Sequence, residues 1–125
     1  MNAISSDEIR RVLADDPTDQ SIHSLVFATI RYLVRQRLRI GRAVTYVDAT
    51  HLTRKERKPY LRIGVPVEAL FFDTPLEVCI ARNANRPRIV PEDAIRKMAG
   101  KLQPPTLDEG LVNVTVIRPD TAFKR

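Results

Sequence analysis

Short β-branched runs alternate with segments of helical period along this chain, and no two runs are joined by a two-residue turn. Strands without hairpin connections run parallel, and a parallel pair needs a crossover, usually a helix. The pattern therefore predicts an α/β fold: a mostly parallel sheet with helices on its faces. At 125 residues, with 43% of them hydrophobic, the expectation is one domain with one modest core. Ligands of such sheets bind outside the carboxyl ends of the strands, so the residues that follow the strands are the ones to search for chemistry.

The local signals are specific. Ser5-Ser6-Asp7-Glu8 reads as a capping box that opens a short helix, and Asp15-Asp16-Pro17-Thr18 closes it. Residues 19–40 read as the longest helix, with Ile22, Leu25, Val26, Ile30, Leu33, Val34 and Leu38 forming the core stripe. Arg35, Arg37 and Arg39 crowd its last turns, where cations suit the helix dipole, and Gly41 is placed to cap it. Residues 42–48 read as a short buried strand. Thr53 and Glu56 form a second capping box, which starts a very basic helix that stops near Gly64. A strand is expected over 66–72, then a helix with Thr74 as N-cap, Pro75 at its first position and Val78, Cys79 and Ala81 turned inward. Pro91 starts a helix to about residue 102, Pro104-Pro105 breaks it, and 112–117 forms the last strand. No repeat, low-complexity tract or linker interrupts the series.

Composition excludes several classes. The apolar runs are too short for a membrane-spanning helix, and Met1-Asn2-Ala3-Ile4 leads into polar and acidic residues rather than a signal peptide. Cys79 is the only cysteine, which rules out an internal disulfide and makes an inert thiol in a reducing, cytoplasmic compartment the expectation. Twenty-one Lys and Arg against fifteen Asp and Glu give a formal charge of +6. Arginine greatly outnumbers lysine, and its planar fork is the better phosphate ligand. Phosphate-bearing partners are thereby favoured over a merely solvated basic surface.

Three groups of residues could carry chemistry. Asp7 and Arg10 share one helix face, where a carboxylate could take a proton while the guanidinium holds an anion; a surface ion pair is the plain alternative. Asp48 ends a hydrophobic strand, where it could orient a phosphate-binding arginine or a metal-bound water, or simply cap the next turn. The run Arg82-Asn83-Ala84-Asn85-Arg86-Pro87-Arg88 leaves a helix for a proline-bounded loop. Its arginines could close over phosphates, and dipole complementation explains Arg82 or Arg86 but not Arg88. His23 and His51 lack the spacing of metal ligands and are read as structural or surface residues, so no metal site is assigned. A Gly-x-Ser-x-Gly elbow is absent, and Cys79 has no evident His partner.

Taken together and in order, Ser5-Ser6-Asp7-Glu8-Ile9-Arg10, Val47-Asp48-Ala49-Thr50-His51-Leu52, Arg82-Asn83 through Arg86-Pro87-Arg88-Ile89-Val90-Pro91, and Ile95-Arg96-Lys97-Met98 resemble one family. It is the P-loop kinase domain of the 5′-hydroxyl polynucleotide kinase type, also described as an AAA-family ATP-binding or zeta-toxin-like kinase domain. The resemblance covers nearly the whole chain. It implies a three-layer fold, with helices on both faces of a mostly parallel sheet. It also implies transfer of the ATP γ-phosphate, with Mg²⁺, to a 5′-hydroxyl of nucleic acid. By the same resemblance Asp7 matches the general base, Arg10 the arginine on an acceptor phosphate, and Asp48 the strand-end aspartate of the ionic network. Arg86 matches the lid arginine on the donor phosphates, with Arg82 and Arg88 as further candidates.

The chain departs from this family at two places. Before Gly64-Val65-Pro66 it has a basic helix shorter than usual, as if a turn were deleted. It holds no Gly-x-x-x-x-Gly-Lys-Ser/Thr loop: Gly100-Lys101 is the only Gly-Lys pair, Leu102 follows it, and position 95 is isoleucine. The family's first strand and P-loop precede the segment that opens this chain, so the resemblance implies an N-terminally shortened domain, inactive or weak as this chain alone and a poor ligand for ATP. The absent strand would lie inside the sheet, between the strand ending at Asp48 and the one ending at Phe72. A rearranged sheet, a second copy or a partner strand is expected to fill that gap. The alternatives are a non-catalytic remnant that binds RNA or protein through its arginines, and a relative that phosphorylates a small molecule.

Overall fold

The computed structural model describes residues 3–87 and 89–118. They divide into two compact units, Met1–Thr50 and His51–Arg125. All four strands among the described residues are paired in parallel, as the absence of hairpins predicted, but in two separate two-stranded sheets rather than one.

In the first unit, β1 (Ile4–Ser5) pairs with β2 (Val47–Asp48), with Ile4 opposite Val47 and Ser5 opposite Asp48. β1 is too short to have been visible in the sequence. The strand expected over 42–48 shrinks to its last two residues, and Val44 and Tyr46 are exposed rather than buried. With so short a partner, β-propensity over 42–46 has no ladder to join beyond the bond from Ile4 N to Tyr46 O at 2.9 Å. α1 (Ser6–Ala14) leaves β1 directly and stops where Asp15 turns left-handed.

α2 (His23–Arg39) starts four residues later than the apolar period suggested. The carboxylates of Asp16 and Asp19 explain the delay. Each accepts bonds from the backbone N–H and hydroxyl of the residue two positions on, Thr18 and Ser21, and so holds the chain in turns that compete with the helix. Of the predicted stripe, Val26, Ile30 and Val34 are buried and Ile22, Leu33 and Leu38 half-buried, while Leu25 is exposed and Phe27, which the stripe did not include, is buried in its place. Each buried side chain contributes about 1.5–3 kcal/mol. Gly41, at φ +85°, ends the helix as expected by donating to Leu38 O at 3.1 Å.

The second unit carries α3 (Arg54–Leu61), β3 (Glu68–Phe72), α4 (Leu76–Asn83), α5 (Glu92–Lys101), a 3-10 turn (Leu107–Glu109) and β4 (Asn113–Ile117). The Thr53–Glu56 capping box forms in both directions, at 3.2 Å each way. β3 pairs with β4 along its whole length, from Glu68–Asn113 to Phe72–Ile117. The N-cap of α4 is Pro75, not Thr74, whose carbonyl instead lies 3.7 Å from the half-buried Cys79 sulfur. Among the described residues of this unit only Tyr60 and Leu111 are buried hydrophobics, and they are matched by buried Arg57 and Asn83. Polar clamps therefore hold much of what apolar packing does not.

Candidate functional site

At the first unit's strand ends, Ser5 accepts a 3.4 Å bond from Glu8 N and caps α1. The reciprocal half of the predicted box is not made, because the Glu8 carboxylate turns to Arg11 instead. That bond is also the main reason the Glu8 carboxyl titrates below the usual carboxylate range. A cap on the residue that ends β1 puts the next residues of the helix at the carboxyl edge of the β1–β2 pair. Asp7 lies there, two residues beyond Ser5, and Asp48 lies on the same edge, directly opposite Ser5. Both carboxylates are exposed.

Arg10 shares this edge through Asp7, its Nη1 standing 3.6 Å from Asp7 Oδ1. The pair is unequal: the Arg10 side chain is 5% exposed and that of Asp7 56%. At 3.6 Å the contact is ionic rather than a hydrogen bond. Arg10 Nε is fully buried and has no hydrogen-bond partner among the described residues. A buried guanidinium with an unmet donor is costly, and a bound anion at that atom would relieve the cost. The i,i+3 pair that the spacing suggested is formed, but nothing in the sequence showed that its arginine is buried.

The arginines of the second unit are placed differently. Arg82 is exposed in the last turn of α4, and Arg86 is exposed in the turn beyond it. Arg88 lies outside the described residues. The residue that organises this loop is one that sequence reasoning passed over. Asn83 is 7% exposed; its Nδ2 donates to Val90 O at 2.5 Å and its Oδ1 accepts from Val90 N at 2.9 Å. One amide thus closes both ends of loop 84–90, with Arg86 on the outside.

A second overlooked element is ionic. Within the very basic helix α3, Arg57 is buried and forks onto Glu109 through Nε–Oε1 and Nη2–Oε2 bonds of 2.9 Å, while Nη1 donates to His51 O at 2.8 Å. The grip of Arg57 is the largest cause that holds the Glu109 carboxyl below the usual range. His51 packs edge-on to Tyr60 at 4.9 Å, in keeping with a structural role. Among the described residues no group of three or more His, Cys, Asp or Glu could hold a metal ion. No helix among them is long and apolar enough to cross a membrane.

Parallel strands with helical crossovers, and polar groups gathered at a strand carboxyl edge, are the construction of nucleotide-binding α/β proteins. Residues 1–105 match the family described as an AAA domain, and the chain belongs to that family. The family is P-loop NTPase-like, which places this chain among nucleotide-binding, kinase-like or ATPase-like proteins. No curated protein matches the sequence.

Such a family implies a nucleoside triphosphate and Mg²⁺, and the residues present here do not fit them. The four glycines, Gly41, Gly64, Gly100 and Gly110, include no pair five positions apart. Gly100 and Lys101 sit inside α5, where backbone N–H groups are committed to the helix and cannot cradle phosphate. These residues supply no donor-phosphate cradle.

Proposed function

We propose that this chain carries the acceptor side of a phosphotransfer site of the polynucleotide kinase type. The observation that carries the reading is the buried Arg10 guanidinium, with an unmet Nε donor, beside the exposed Asp7 carboxylate at a strand carboxyl edge. In this reading Asp7 accepts the proton of a 5′-hydroxyl and Arg10 holds a phosphate of the same acceptor, fixing the hydroxyl against the base. Asp48, opposite the capping Ser5, completes the ionic edge. In the second unit Arg86, with Arg82 and Arg88 as further candidates, is proposed as a cation for phosphate. As this chain lacks a donor cradle, acceptor binding rather than turnover is its expected activity.

Titration of the chain with a 5′-hydroxyl oligonucleotide tests the reading. Arg10→Met should weaken binding by about tenfold or more, since a charge-assisted hydrogen bond is worth roughly 1.5–3 kcal/mol. Unchanged affinity in a folded Arg10→Met protein sinks the acceptor role. Incubation with ATP, Mg²⁺ and the same oligonucleotide should give no transfer. Robust transfer abolished by Asp7→Asn would instead show that these residues suffice for donor binding.

A further inference from the structure

From Gln20 to Val47 the chain has no acidic residue, and Arg31, Arg35, Arg37, Arg39 and Arg42 all fall within that stretch. Arg37 is structurally committed, its Nε donating to Thr45 Oγ1 at 2.9 Å and its Nη2 to Val44 O at 2.7 Å. The other helical arginines are not. Arg31, Arg35 and Arg39 recur every four residues and so form one stripe along α2. That stripe leaves the core as it runs: Arg31, one turn after the buried Phe27, is half-buried at the border of the core face, and Arg35 and Arg39 are exposed. Among the described residues, no ion pair or side-chain hydrogen bond engages any of the three.

Favourable placement near the helix dipole accounts for cations in the last turn, and so for Arg39. It does not reach Arg31, two turns earlier, because the effect fades within one turn. A solvated stabilising face would interleave acids at i,i+4, and α2 has none. The stripe therefore costs self-repulsion that the helix itself does not offset. Tyr32 stands seven residues before Arg39, hence on the border of the same face, and is 56% exposed. Unpaired arginines in file with an aromatic ring beside them are the elements from which single-stranded nucleic acid sites are made: cations follow the phosphates and the ring stacks a base.

We propose that Arg31, Arg35 and Arg39 form a track for the phosphodiester backbone of single-stranded nucleic acid, with Tyr32 as its stacking platform. The track spans roughly 12 Å along the helix. This rests on the polynucleotide reading above and deepens it, because such a track would hold the acceptor strand away from its reacting end.

The test measures affinity of the 125-residue chain for a ten-nucleotide 5′-hydroxyl oligothymidylate as a function of salt. Each phosphate neutralised on a single strand contributes about 0.7 to the slope of log K against log salt. Replacing Arg31, Arg35 and Arg39 together by alanine should therefore lower the slope by about 2. The triple lysine variant should retain the slope, and Tyr32→Ala should weaken binding about equally at all salt concentrations. An unchanged slope in the alanine variant overturns the track while leaving the acceptor reading intact. Loss of the slope with no effect of Arg10→Met supports the track and removes the acceptor site. No binding by the wild-type chain at low salt, equal affinity for polyglutamate, or a lysine variant as impaired as the alanine one each overturns the proposal.

Discussion

Arg57 and Glu109, 52 residues apart in the chain, meet through two parallel 2.9 Å hydrogen bonds. Their side chains are 10% and 2% exposed, so neither could lose its partner and be rescued by water. The pair ties α3 to the 3-10 turn and, through Nη1, to the backbone of His51. Arg57→Met leaves the Glu109 carboxylate buried without its cation, held only by the 2.9 Å bond from Thr106 N, and the expected loss of stability is about 3–5 kcal/mol, measured by chemical denaturation. Replacing Arg57 and Glu109 together by Met and Leu should recover much of it.

Acid should act on the same pair. The Glu109 carboxyl titrates below its unfolded value, chiefly because Arg57 donates to it. A depressed folded value means that the contribution is complete above the unfolded value, near 4.3, and is lost as pH falls through the folded one. Melting temperature should therefore fall below about pH 4.3, and the fall should be shallower in Glu109→Gln.

The amide of Asn83 should govern the order of loop 84–90. Asn83→Ala removes both bonds to Val90 and leaves its N–H and C=O unmet, at an expected cost of about 1–3 kcal/mol. Hydrogen exchange at Val90 N should accelerate, and cleavage between Asn83 and Val90 by a protease of broad specificity should become faster. Asn83→Asp keeps the acceptor and loses the donor, and it should fall between the two.

Gly110 offers a clean test of backbone strain. Its φ is +116°, and a Cβ there would meet nothing nearer than Leu61 Cδ1 at 4.0 Å. The whole effect of Gly110→Ala is thus conformational, an expected loss of about 1–2 kcal/mol with no cavity or clash. Denaturant unfolding with an unchanged m-value would be the sign of it.

What the sequence revealed depended on how far apart the interacting residues lie. The Ser5 cap, the Thr53–Glu56 box and Gly41 are decided within a few positions, so they could be read directly. The strand-end rule likewise singles out Asp48 without knowledge of packing, whereas Asp7 is legible only through its spacing to Arg10, because the strand before it is too short to read. Burial depends on the rest of the chain. Arg10 and Arg57 belong to segments that look solvated, and only tertiary structure shows them to be interior. Asn83 could not be told from Asn85, since the bond to Val90 depends on how the loop returns. The strand over 42–48 was overextended because β-branched residues report a tendency that only a partner strand can realise.

The pairing of β3 with β4 places a demand on synthesis. Glu68 meets Asn113, its ladder partner, across 45 residues. At roughly 5–20 residues per second, β3 waits about 2–9 seconds for the only strand it joins among those described. Through that interval the backbone of β3 is an open edge, with none of the other described strands to pair with it. The second unit is thus at its most vulnerable on the ribosome, where a chaperone binding extended apolar segments would meet β3 before β4 exists.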